Sequence, residues 1–112
     1  MDRDANGFPK PDLSALEKWY DIVKYEYAPD EGTLYIYVKP KTENRETEFF
    51  MEFKDKDGIL IWTRDRTHFV LMPGELDAKV GDMVKVYVYI PNENLLKQAV
   101  SAKAFRRTGS TY

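Results

Sequence analysis

The chain contains no cysteine and a single histidine, His68. The first absence excludes a disulfide framework, a thiolate zinc site and thiol chemistry. The second excludes any two-histidine metal arrangement within this chain, and His68, in a strand next to Arg64 and Arg66, reads as an ordinary strand residue and not as the base of a Ser-His-Asp triad. No apolar run approaches the roughly eighteen residues a membrane-spanning helix needs, and the chain reads as soluble. A large excess of charge of one sign is lacking as well. With 17 basic residues against 19 acidic ones the formal net charge is -2, which gives no polyelectrolyte field and argues against nucleic acid as a partner. There is no Gly-rich phosphate loop, nucleophile elbow or His-Glu-x-x-His segment, so neither catalysis nor a cofactor has a visible carrier.

What remains is a chain of 112 residues, 43% of them hydrophobic, enough to bury the core of one domain without covalent staples. The opening Met1-Asp2-Arg3-Asp4 lacks the cationic start and apolar stretch of a signal peptide, which fits a cytosolic protein or a module of a larger secreted one. Residues 1–12 carry two prolines and a glycine with almost no apolar periodicity, and read as an extended arm or linker. Residues 13–107 read as the domain, and 108–112 as a tail of linker composition. Ser14 followed by Glu17 has the spacing of a capping box, and Leu13, Leu16, Trp19 and Tyr20 fall at helical spacing, which predicts a short helix over 13–20.

From Asp21 onward the period is two, and no further helix is expected. In Val84-Lys85-Val86-Tyr87-Val88-Tyr89-Ile90 the valines and Ile90 share one face, and Lys85, Tyr87 and Tyr89 share the other. Thr33-Leu34-Tyr35-Ile36-Tyr37-Val38 repeats the design, with Leu34, Ile36 and Val38 inward. Val23, Tyr25 and Tyr27 alternate with Lys24 and Glu26; Phe49, Met51 and Phe53 alternate with Phe50, Glu52 and Lys54. Asp55-Lys56-Asp57-Gly58 predicts a tight reversal into Ile59-Leu60-Ile61-Trp62. Thr67–Met72 and Gln98–Phe105, the latter after a loop at Pro91–Asn94, complete an expected seven-stranded antiparallel β-sandwich.

The stretch Leu76-Asp77-Ala78-Lys79-Val80-Gly81-Asp82-Met83-Val84-Lys85-Val86-Tyr87-Val88 resembles the approach to the sixth strand of fibronectin type III and related immunoglobulin-like modules, in which a Gly-bearing loop precedes an alternating apolar strand. The resemblance extends loosely over residues 21–107. It implies an immunoglobulin-like sandwich and a non-catalytic adhesion, spacer or recognition role. It also implies that Val84–Ile90 shares a sheet with the strand of Phe50. On that basis the candidate binding surface is an aromatic strip of Phe50, Tyr87, Tyr89 and Phe105 with Lys85 and Lys103 at its margins, while Tyr35 and Tyr37 are expected on the opposite sheet. Tyrosines are large, stiff and half polar, which suits a protein interface, self-association or, as the alternative, a carbohydrate platform on an accessory module of a secreted enzyme. The bland reading of the same rings is cross-strand pairing on an exposed sheet.

One motif suggests a metal. Asp2-Arg3-Asp4-Ala5-Asn6-Gly7 has the opening of a calcium loop, with oxygens at alternate positions and a glycine for the turn. The bidentate acid required at position twelve is absent, because Leu13 stands there, so the segment reads as a polar arm and no metal site is expected.

Overall fold

The computed structural model describes residues 7–43, 48–61, 68–70, 79–90 and 93–106. Among the described residues the strands in chain order are β1 (Pro11–Asp12), β2 (Tyr20–Ala28), β3 (Thr33–Pro40), β4 (Glu48–Lys54), β5 (His68–Val70), β6 (Val84–Tyr89) and β7 (Ser101–Arg106), with a short α-helix, α1 (Glu93–Gln98), between β6 and β7. One sheet has the order β2-β3-β6 and the other β1-β7-β4-β5. The fold is all-β, as the period-two pattern predicts.

The alternation sets the core. Leu34, Ile36 and Val38 from β3 and Val84, Val86 and Val88 from β6 meet Phe49, Met51 and Phe53 from β4 and Ala102 and Ala104 from β7 in one buried cluster. Apolar faces on both sheets can leave water only by closing on each other, and burial at about 25 cal/mol per Å2 drives that closure. β5 draws close to β6 where the two sheets meet.

β2 shows how one extra residue rescues a pattern that simple alternation would break. Tyr20 and Ile22 are even-numbered, whereas Tyr25 and Tyr27 are odd-numbered, so a regular strand would put the two pairs on opposite faces. The register against β3 shifts between Ile22 and Lys24. This bulge leaves Val23 out, 44% exposed, and returns Tyr25 and Tyr27 to the inner side. The β2-β3 turn is a 3-10 turn over Pro29–Glu31 closed by Gly32 in the left-handed region, φ 65. Gly32 also accepts a hydrogen bond from the Ile90 N–H at 2.8 Å, and an added Cβ would stand 3.3 Å from the Ile90 carbonyl oxygen.

Several local expectations need correction. The helix over 13–20 is a single 3-10 turn, Ser14–Leu16, without a side-chain cap. Instead of closing a capping box, the Ser14 hydroxyl and N–H both donate to Asp12 Oδ1, at 2.7 and 3.0 Å. Those two bonds, the hydroxyl's first, hold the Asp12 carboxyl below the usual carboxylate range. The expectation of no helix after Asp21 fails at Pro29–Glu31 and at α1, whose Leu95 and Leu96 are buried. The sheets are not wholly antiparallel, because β1 runs parallel to β7, with Pro11 beside Ala102 and Asp12 beside Lys103.

The Asp55–Gly58 reversal forms as expected. Asp55 Oδ1 accepts from the N–H groups of Asp57 and Ile59, and Gly58 takes φ 77. The strand expected beyond it is reduced, among the described residues, to one bridge between Lys54 and Leu60 and two backbone hydrogen bonds, from the Asp55 N–H to the Ile59 carbonyl at 3.0 Å and from the Ile61 N–H to the Phe53 carbonyl at 2.8 Å. Further along, β5 pairs with the other end of β4, Glu48 against Val70. Leu60 and β5 therefore lie against the same edge of β4, the one away from β7.

The arm is tied down over its described part. Pro9 is buried, the Tyr27 hydroxyl donates to its carbonyl at 2.6 Å, and the Phe8 ring meets the Tyr27 ring edge-on at 5.4 Å. The calcium-like Asp2-Asp4-Asn6 stretch lies outside the described residues.

Candidate tyrosine and lysine face

Strand pairing places two rows of side chains across the outer face of β2-β3-β6. One row is Glu26, Tyr35 and Tyr87; the next is Lys24, Tyr37 and Lys85. Within a row, directly opposed side chains stand close enough to interact. The Tyr35 and Tyr87 rings meet edge to face, with centroids 5.1 Å apart and planes at 79°. Lys85 Nζ lies 4.2 Å from the Tyr35 centroid, and 5.6 and 5.7 Å from those of Tyr37 and Tyr87. Lys24 Nζ lies 4.7 Å from the Tyr37 centroid. The ammonium groups thus sit over the negative ring faces, an attraction worth about 0.5–1 kcal/mol at an exposed site. Tyr87 is nevertheless 62% exposed and Tyr89 46%, so the cluster leaves much ring surface in water.

At one end of this face the Tyr35 hydroxyl donates to the Glu31 carboxylate. That hydrogen bond, reinforced by the charge of the same carboxylate, pushes the Tyr35 phenol up to about 12 from its ordinary 10.0. Because the folded value is raised, the bond's contribution is complete below the ordinary phenol value and is lost as pH climbs through about 12. An ultraviolet titration of the folded protein is expected to show a phenol step at about 12 that is absent in Tyr35→Phe and moved back toward the ordinary 10.0 in Glu31→Gln. Survival of the late step in Tyr35→Phe would show that the Glu31 bond is not its source.

The strip expected from the sequence is not assembled. Tyr87, Tyr89 and Lys85 lie on the outer face of β2-β3-β6, whereas Phe50, Phe105 and Lys103 lie on the outer face of the other sheet. Tyr35 and Tyr37, expected on the sheet opposite Tyr87, are its neighbours instead. The physical reason is that β6 pairs with β3 and not with β4 or β7. Lys85 moves from margin to centre. Lys24 has no role in the sequence reading, yet a hairpin through Pro29–Gly32 sets it opposite Tyr37. Recognising that hairpin would have found it.

Phe50, Phe105 and Lys103 form a second, smaller patch. The two rings are nearly parallel, 19° apart with centroids at 5.5 Å, and Lys103 Nζ lies 5.3 Å from the Phe105 centroid. A groove beside them is lined by Lys10, Asp12, Glu52, Lys54 and Lys103. Its acids and bases alternate, with Glu52 opposite Lys103 and Asp12 beside it.

Neither patch offers a nucleophile paired with a base. Among the described residues no cluster of histidine, aspartate or glutamate could hold a metal ion, and no helix is long and apolar enough to cross a membrane. What the larger face offers is exposed ring surface, phenol hydroxyls and ammonium groups set side by side. The chain matches no protein family model, no curated protein and no solved structure.

Proposed function

We propose that this chain is a non-catalytic interaction module, built on an immunoglobulin-like β-sandwich, that engages a protein through the tyrosine and lysine face of β2-β3-β6. The observation that carries the reading is the cluster of Tyr35, Tyr37, Tyr87 and Lys85, half exposed yet mutually locked. Rings already held by neighbours lose little conformational freedom on binding, and aromatic anchors of this kind dominate interface energetics.

Strand order supports the sandwich half of the proposal. Counting from β2, the first, second and fifth strands make one sheet, and the third and sixth are adjacent in the other. Immunoglobulin-like sandwiches distribute their strands in this way. In that count β6 takes the fifth place, and β1 occupies the edge beyond the sixth strand.

A carbohydrate ligand is the second reading, and it fits the other face better. Sugar platforms need rings lying flat and close to parallel. Phe50 and Phe105 are near parallel with Lys103 and Glu52 beside them, while Tyr35 and Tyr87 stand edge to face.

The test is comparative capture. Immobilised wild type and Tyr87→Ser/Tyr89→Ser, matched by circular dichroism, are exposed to an extract of the source cells and to a glycan array. The expected result is a protein retained by the wild type and lost by the variant, with no glycan bound. Identical retention by both proteins sinks the reading; a glycan signal removed by Phe105→Ser supports the second one in its place.

A further inference from the structure

The same face carries a charge gradient that selects among partners. Along β3, Glu31 precedes the strand, Glu26 stands in the row of Tyr35, Lys24 and Lys85 stand in the row of Tyr37, and Lys39 follows. Acid therefore occupies the end of Glu31 and Glu26, and base the end of Lys24, Lys85 and Lys39, where Asp21 stands opposite Lys39 and 3.8 Å from Lys41, with tyrosines in both rows. The rows are two residues apart along the strands, about 7 Å. A partner must oppose this gradient at the same spacing, presenting base above Glu26 and acid or ring above Lys24 and Lys85.

We infer that the partner is a second copy of this chain, packed face to face about a two-fold axis that crosses the strands at the level of Ile36. This inference rests on the interaction reading above and names its occupant. Such an axis keeps each strand over its own counterpart and exchanges the two rows. Glu26 then faces the second copy's Lys24, and Lys24 faces its Glu26, so the contact is made twice. Tyr35 faces Tyr37, and Tyr87, the most exposed of these rings, faces the second copy's Lys85. That repeats between molecules the ammonium-over-ring contact that Lys85 already makes within one. Further out, Glu31 lies toward Lys39. Each charge of these two rows, Glu26, Lys24 and Lys85, meets an opposite charge or a ring, as an isologous interface requires of a self-complementary surface. Shifting the axis by one row would set Lys24 against Lys24 and Lys85 against Lys85, or Glu26 against Glu26 at the other end, so like-charge repulsion fixes the register.

Sedimentation equilibrium and light scattering test the arrangement. The wild type is expected to be a reversible dimer whose dissociation constant rises with salt, since the exposed pairs are screened over about 8–10 Å at physiological ionic strength. Lys24→Glu and Glu26→Lys, each folded by circular dichroism, are expected to weaken self-association by about tenfold or more, because each creates two like-charge contacts per dimer. Mixed in equal amounts, the two variants restore opposite charges at both contacts and are expected to form a heterodimer. A wild-type dimer indifferent to both substitutions, or a mixture that stays monomeric, overturns the inference. A monomeric wild type that still loses a captured protein on Tyr87→Ser/Tyr89→Ser overturns self-association alone and leaves the interaction reading standing. Monomeric behaviour with no captured protein overturns both.

Discussion

Phe49→Ala is expected to cost about 3–5 kcal/mol of stability, whereas Phe50→Ala, one residue away, is expected to cost under about 1.5 kcal/mol. Phe49 is fully buried at 0% exposure. It sits between Phe69 of β5 and Arg106 of β7, with the Trp19 ring edge-on at 6.2 Å. Truncation there removes the transfer free energy of a phenyl ring and leaves a cavity that two hydrogen-bonded neighbours prevent from collapsing. Phe50 points the other way, half exposed against Phe105, so its loss forfeits one ring contact and part of its area. Domains of this size hold only about 5–15 kcal/mol in total. The first variant should therefore lose much of its margin, with a fall in Tm on the order of 10–20 °C. Urea unfolding with a shared m-value measures both costs. Equal losses would mean that β4 does not bury the Phe49, Met51 and Phe53 side.

That contrast rests on the part of the fold most legible in the sequence. A side chain's inward or outward sense depends on its own strand and on period two, so Val84, Val86 and Val88 or Leu34, Ile36 and Val38 can be assigned without knowing any neighbour. Where the pattern itself is interrupted the reading weakens. The bulge that expels Val23 reconciles Tyr20 and Ile22 with Tyr25 and Tyr27, but a bulge is chosen by the fit of the whole strand against β3 and leaves no local mark. α1 is similar. Leu95 and Leu96 are buried because the chain must cross from one sheet to the other there, and Glu93-Asn94 alone resembles a loop.

The candidate site was legible in its parts and not in its assembly. Lys85, Tyr87, Tyr89, Phe50, Lys103 and Phe105 all point outward, as period two requires. Which of them share a surface depends on strand order, and the partners of β6 lie some fifty residues back along the chain, opposite Thr33–Val38. Likeness to a sixth strand put β6 in the wrong sheet and divided Tyr87 from Tyr35. The two strands carry the same alternation of aliphatic residues and tyrosines, and that shared pattern is the local sign that they could line one continuous face.

Deleting residues 1–10 is expected to destabilise the domain by about 2–5 kcal/mol, far beyond the roughly 0.5 kcal/mol that removal of a free linker would cost. The composition of residues 1–12, with Pro9, Pro11 and Gly7, reads as a linker, yet Pro9 is fully buried. Three losses combine. Phe8 leaves the Tyr27 ring, an edge-on aromatic contact worth about 0.5–1.5 kcal/mol. The buried surface of Pro9 is opened, and the Tyr27 hydroxyl, bonded to the Pro9 carbonyl at 2.6 Å, loses its acceptor. An unsatisfied buried hydroxyl costs about 1–3 kcal/mol, while water reaching the opened site reduces that share. Tyr27→Phe in the full chain separates the terms, since it removes the hydroxyl and leaves the packing; about 1 kcal/mol is expected. In the truncated chain the same substitution should cost less or even stabilise, because the hydroxyl no longer has the Pro9 acceptor to lose. The four proteins form a double-mutant cycle whose coupling energy measures the Tyr27 to Pro9 bond. Chemical denaturation of all four gives the values, and a coupling energy near zero would show that the arm lies on the domain without being bound to it.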